Sequence, residues 1–182
     1  MAIGRHECSS ARDTDFRQAI AIGLDEALTA LEESFYDLDD RQMQAFVIPK
    51  HNCIAWIVVH TLQNLDEYTY QADSGQTTFP HDYKWDLWDC REDQRPKPGD
   101  AFPSQAQLMG WLRSLRANAE RILRQADERS LFGRPGGHWP GNRADMYMRT
   151  IFHAMAHVRQ IWLLRGALGL IDGKSWPQQH WA

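Results

Sequence analysis

The chain has 182 residues, enough for one compact domain with its own core and short for two, so residues 1–182 are expected to form a single domain. Its 43% apolar and 24% charged residues are those of a globular protein and exclude a disordered chain. A net charge of −4 argues against general affinity for nucleic acid, since Arg113, Arg116, Arg121 and Arg124 are interleaved with Glu120 and Glu128 as on a solvated helix face.

The opening stretch MAIGRHECSSARDTDF contains no apolar segment able to act as a signal sequence. The longest clearly apolar run, CIAWIVV, falls far short of the ~20 residues that span a bilayer. No membrane partner is expected. Cys8, Cys53 and Cys90 are widely spaced and form no CxxC pair, which disfavours a disulfide framework or a zinc knuckle and suits a reducing compartment. The expected location is cytoplasmic.

From Thr14 to Tyr36, apolar residues at Phe16, Ile20, Leu24, Ala27, Leu31 and Phe35 make one helical stripe, with Asp13 or Thr14 able to cap its start. The acidic DLDD interrupts it, and RQMQAF allows a short helical turn before Pro49. A second helix is expected from about His51 or Asn52 to Tyr70. Its first half, CIAWIVVH, would pass alone for a strand, but Leu62, Leu65 and Tyr68 continue a helical spacing from Ile54, Ile57 and Val58.

Residues 72–103 lack clear periodicity and hold SGQ, FPHDYKWDLWD and RPKPGDAFP; the tryptophans of KWDLWD favour a long, ordered, packed connection. The third helix opens on a capping-box pattern, Ser104 followed by Gln107. Leu108, Trp111, Leu112, Leu115, Ile122 and Ala126 form its stripe, and Gly133 with RPGGHWPGN ends it. The fourth helix is expected from about Arg143 to Leu168, with Gly169 as its C-terminal cap. Four helices and no convincing strand predict an all-α fold, a four-helix bundle with a long ordered connection between helices 2 and 3.

On the fourth helix, Met146, Thr150, His153, His157, Ile161, Leu164 and Leu168 share one face whose apolar ends mark it as inward. A second stripe, Tyr147, Ile151, Met155, Val158 and Trp162, flanks it. Two imidazoles one turn apart on an inward face need partners, because an unpaired buried polar group costs ~1–3 kcal/mol. A shared divalent cation satisfies both, whereas separate hydrogen bonds would make the spacing accidental. His60 shifts the balance. His6 and His180 lie near the ends, His51 at a helix start, and His81 and His138 in loops, while His60 sits inside an apolar helix. Three interior histidines on two helices form the arrangement that a three-imidazole metal site needs.

These segments resemble the DinB/YfiT-like metalloenzyme family, whose hallmark is a DinB-like domain. HNCIAWIVVHTLQNLDEY is similar to that family's second helix, where a histidine follows a small-and-apolar run. FHAMAHVRQIWLLRGALGL is similar to its last helix, with HxxxH, then a glutamine and an aliphatic residue, then a close like LRGALGL. The similarity of order and spacing extends across nearly the whole chain. The resemblance implies that His60, His153 and His157 occupy the three metal-ligand positions. Family members commonly have glycine just before that glutamine, whereas this chain has Arg159, so substrate identity does not carry over.

Structural metal sites close with four protein ligands, whereas catalytic sites leave a position open. No fourth ligand is evident. Cys53 shares the His60 face but lies about 10 Å away by helical rise, and Glu67 lies about as far the other way, as a solvated or supporting residue. Gln160, one turn after His157, can orient that ligand or a bound water, or simply edge the inward face. Arg165 reads as a surface or bundle-edge residue that could hold an anionic substrate group. Zinc, nickel and iron all suit three imidazoles.

The resemblance further implies an enzyme whose metal activates a low-molecular-weight thiol for attack on an electrophile, since relatives include thiol-dependent S-transferases and a mycothiol-dependent isomerase. An alternative is a metal-dependent hydrolase acting on a small-molecule substrate; its proton shuttle could come from His81 or His138, which read equally as ordinary loop histidines. A third reading is a non-catalytic, stress-related metal-binding module working as a homodimer. In it, Trp85, Trp88, Trp139, Trp176 and Trp181 line a pocket or interface, although packing loops onto the bundle would serve them equally. A P-loop, GxGxxG, GxSxG and HExxH are all absent, and no ExxH pairs occur on the core faces to build a di-iron carboxylate site.

Overall fold

The computed structural model describes residues 16–79, 95–135 and 141–171. Every regular element among them is helical: α1 (Phe16–Phe35), α2 (Asp40–Met43), α3 (Ile54–Leu65), α4 (Ala72–Ser74), α5 (Gln105–Gln125), α6 (Glu128–Phe132) and α7 (Arg143–Ala167). A π-helical segment, Asp66–Gln71, joins α3 and α4 into one continuous rod. None of these helices is long and apolar enough to cross a membrane.

The expected stripes face a shared core. On α1, Ile20, Leu24, Leu31 and Phe35 are buried, as are Leu108, Leu112, Leu115 and Ile122 on α5 and Met146, Ile161 and Leu164 on α7. Along α3, every residue from Ile54 to Val59 is buried, so its β-branched run serves a helix surrounded by others. Phe16 departs from the expected pattern. It is half exposed and stacks on Phe132 of α6, with ring centroids 5.5 Å apart.

Contacts at the helix ends determine the topology. Ile151 packs against Gly23, where an added Cβ would lie 3.3 Å from Ile151 Cδ1, and Arg165 donates to Ser34 O and Asp37 Oδ1 at the other end; α1 and α7 therefore run parallel. Arg17 donates to Ala126 O while Gln105 donates to Tyr36 O, so α5 runs antiparallel to α1. Asp73 pairs with Arg143 at one end of the α3–α4 rod and His60 meets His153 further along, making that rod antiparallel to α7. It follows that α3 and α5 are parallel. Chain leaving α4 must climb back along the bundle, roughly 30 Å for a 20-residue helix, before α5 can begin. The long connection is this return path. Both α1 and α3 pack against both α5 and α7.

Asp66 fastens the start of the return. Its carboxylate is 1% exposed and accepts from the hydroxyl of Thr77 at 2.5 Å and from the hydroxyl and backbone N–H of Thr78 at 2.7 and 3.2 Å. Phe79 then packs edge-on against Trp111 of α5, centroids 5.6 Å apart. The connection's Trp85, Trp88 and His81 lie outside the described residues, as do Asp13, Thr14, His138, Trp139, Trp176 and Trp181.

Several boundaries differ from expectation. The second helix starts only at Ile54, after Cys53 in extended conformation, and continues to Ser74, beyond Tyr70. The third stops at Gln125, because Ala126 is extended and Asp127 accepts from Ser130 N–H to cap a new helix, α6. Ser104 and Gln107 do form the expected capping box, and Asp39–Gln42 and Asn142–Asp145 form two more. Gly169, at φ 73°, closes α7 by letting Leu170 N–H reach back to Arg165 O, a left-handed turn that a side chain would strain.

Arg165 is a correction of a different kind. It is not at the surface but 3% exposed, and its guanidinium grips Asp37 through two nitrogens at 2.6 and 2.9 Å while lying 4.7 Å over the Trp162 ring. Its guanidinium is engaged by Asp37 and Ser34 O inside the bundle, so it serves as a clamp between helices and not as a surface cation. Arg113 and Arg116 likewise do more than solvate a face, since they bridge α5 to Glu32 of α1, and Arg116 also pairs with Asp25.

Candidate metal centre

α3 and α7 face each other at mid-length, and helical spacing does the rest. His153 and His157, four residues apart, project one above the other toward α3, from which His60 projects back. The three rings meet through the same atom. Nε2 of His153 lies 3.0 Å from Nε2 of His60 and 3.1 Å from Nε2 of His157. One ligand atom from each residue falls within 4.8 Å of the others. Donors bound to one ion at about 2.0–2.1 Å stand roughly 2.9–3.4 Å apart, so the two separations from His153 are those of donors on a shared cation.

The tautomers point the same way. Gln160 Oε1 accepts from Nδ1–H of His157 at 2.7 Å, which leaves the lone pair of that ring on Nε2. His153 is half-buried, and its Nδ1 is buried without a hydrogen-bond partner. Burial first, then the neighbouring His157 and His60, push the His153 pKa down to about 3. Burial also lowers that of His157, against an opposing effect of the Gln160 hydrogen bond. Both shifts favour the neutral imidazole that a metal ligand requires over the N–H⁺ form. Neutral imidazole nitrogens brought this close either share a proton or hold a cation between them. The donor set fits a divalent transition metal.

Trp56, one turn before His60 on α3, stacks on the His60 ring at 5.1 Å between centroids and 8° between planes. The i, i+4 spacing is the only sign of this contact in the sequence.

Among the described residues, the cluster contains these three histidines and no fourth ligand. Cys53 stands outside it, fully buried at the start of α3, and burial pushes its thiol up to about 11, so it stays protonated. Glu67 also lies outside, in the π-helical segment. With three neutral protein ligands, a bound dication would keep its full charge. Gln160, on the exposed side of α7, marks where the site meets solvent.

Comparison with known proteins gives the family and the fold. The family model described as the DinB superfamily matches residues 23–161, a span holding all three histidines and Gln160. No curated protein matches the chain. Among solved structures, a conserved protein from Enterococcus faecalis is similar with a TM-score of 0.60 and 18% identity, covering 85% of this chain and 98% of that one. At that identity the likeness speaks for the fold alone.

Proposed function

Because the chain belongs to the DinB superfamily, we propose that it is a metal-dependent enzyme holding one divalent ion on Nε2 of His60, His153 and His157. The observation that carries this reading is the convergence of one ring nitrogen from each of three histidines on two helices within 4.8 Å of one another. Zinc, nickel and iron are the candidate ions. Three protein ligands leave a coordination position for a small-molecule substrate, as catalytic sites do.

The reaction we propose is transfer of a low-molecular-weight thiol to an electrophile. The bound ion would supply Lewis acidity, favouring the thiolate over the thiol at neutral pH. The sulfur forms a new S–C bond as the carbon–leaving-group bond breaks, and the thiol proton departs to solvent. The protein's own contribution is to hold three neutral imidazoles in register, with Gln160 keeping the His157 proton on Nδ1 and its Nε2 free. Support for the thiol comes from the family resemblance.

Elemental analysis of protein purified without a histidine tag tests the metal. Close to one equivalent is expected for the wild type, and little for His60→Ala and His153→Ala. Metal-loaded protein is then offered thiols with a panel of electrophiles. Thiol consumption that is lost in His153→Ala supports the reaction. Loaded protein that consumes no thiol, yet hydrolyses esters, would move the assignment to the hydrolase.

A further inference from the structure

We propose that Trp56 is the positioning residue of the metal centre, orienting the His60 imidazole and strengthening its bond to a cation; this rests on the metal-binding reading above. Trp56 and His60 lie four residues apart on α3, so their side chains share a face. The near-parallel planes and the 5.1 Å separation are those of an offset stack. Trp56 is only 4% exposed and is held by the core on one side, so its indole acts as a fixed wall against which the imidazole lies. Rotation of His60 about its ring axis would break that face-to-face contact and swing Nε2 away from His153, which it meets at 3.0 Å.

The two helices orient their rings by different means. On α7, a hydrogen bond from Gln160 fixes His157. On α3, the aromatic stack acts on His60. The stack also depends on charge. An imidazole that has given its lone pair to a dication carries partial positive charge, and the electron-rich indole face attracts it more strongly than it does the neutral ring. Trp56 therefore favours the loaded state over the empty one.

The test compares Trp56→Phe, Trp56→Leu and Trp162→Leu. Trp162 is a buried tryptophan of α7 that lies against Arg165, so its replacement reports general core damage. Zinc affinity is measured by chelator competition and site geometry by the visible spectrum of the cobalt(II) protein. Trp56→Leu is expected to weaken zinc binding about tenfold, at the low end of what groups supporting metal ligands contribute. Trp56→Phe keeps an aromatic face and should stay within about threefold of wild type. Trp162→Leu should leave affinity unchanged, and only Trp56→Leu should alter the cobalt bands.

A second measurement needs no metal. In the nuclear magnetic resonance spectrum of the metal-free protein, the carbon-bound ring protons of His60 should be shifted upfield by the indole ring current, less so in Trp56→Phe and not in Trp56→Leu. If Trp56→Leu fails to fold, Trp56→Phe decides: a reduced upfield shift supports the stack and an unchanged one overturns it. Wild-type affinity in a folded Trp56→Leu overturns the proposal, as does a Trp56→Phe protein that loses affinity while Trp162→Leu does not. A wild type that takes up no metal removes the metal-centre reading and the tuning role together, and the ring-current measurement keeps that failure distinct.

Discussion

Replacing Gln160 by leucine removes the acceptor that holds the His157 proton on Nδ1, a hydrogen bond of 2.7 Å. A net hydrogen bond between neutral groups contributes about 0.5–1.5 kcal/mol. At about 1.4 kcal/mol per factor of ten, this predicts metal affinity weakened roughly 2- to 12-fold. Groups supporting metal ligands typically contribute about 10–100-fold; the smaller figure applies because Gln160 is exposed and water can take its place. Gln160→Glu should act oppositely, since a carboxylate accepts the N–H in a charge-assisted bond about twice as strong and makes the ring a better donor. Chelator competition with zinc, run on wild type and both variants, gives the three affinities directly. Arg159→Gly, at the exposed neighbouring position, is the control and should bind as wild type does. Equal affinity in Gln160→Leu, or weaker binding in Gln160→Glu, would refute an orienting role for this side chain.

His153→Ala should abolish stoichiometric metal uptake, because His153 Nε2 is the atom close to both other ligands; elemental analysis checks it. Asp37→Asn takes the negative charge away from the buried Arg165 guanidinium. Breaking a buried pair costs about 3–5 kcal/mol, and because Asp37 is 42% exposed the loss should be about 1–3 kcal/mol after solvent screening, seen in chemical denaturation. The Arg165 hydrogen bond holds the Asp37 carboxyl below its ordinary 3.8. A lowered folded-state pKa contributes stability that is present above 3.8 and lost as pH falls through the folded value. The difference between wild type and Asp37→Asn should therefore shrink with acidification below that range, and a difference that grows would contradict the pairing. Asp66→Ala leaves the Thr77 and Thr78 donors without their acceptor and should cost about 2–3 kcal/mol, a fall in Tm that a thermal melt will show.

Local physics made much of this molecule legible in its order of residues. Apolar residues three and four apart announced the four long helices, and the Ser104–Gln107 box announced the start of α5, because amphipathic spacing and caps act within one or two turns. Where a helix stopped was harder to read. The break at Ala126 needed Asp127 to compete successfully for Ser130, and the stripe of apolar residues runs on without marking it. The histidine cluster was readable to an unusual degree, since two of its members are four apart on one helix and the third was the only other histidine that the sequence placed in an apolar helix.

Pairings across the bundle were another matter. Nothing near Arg165 in the chain predicts Asp37, a partner 128 residues away that turns an apparent surface cation into a buried clamp. The return path between α4 and α5 looked like a long loop until the parallel course of α3 and α5 supplied its reason. Periodicity dictated which side each histidine faces, but the 3.0 and 3.1 Å meeting of their nitrogens depends on the antiparallel register of α3 and α7. That register is set by packing over the whole length of both helices, and packing is a property of surfaces brought together rather than of neighbours in the chain.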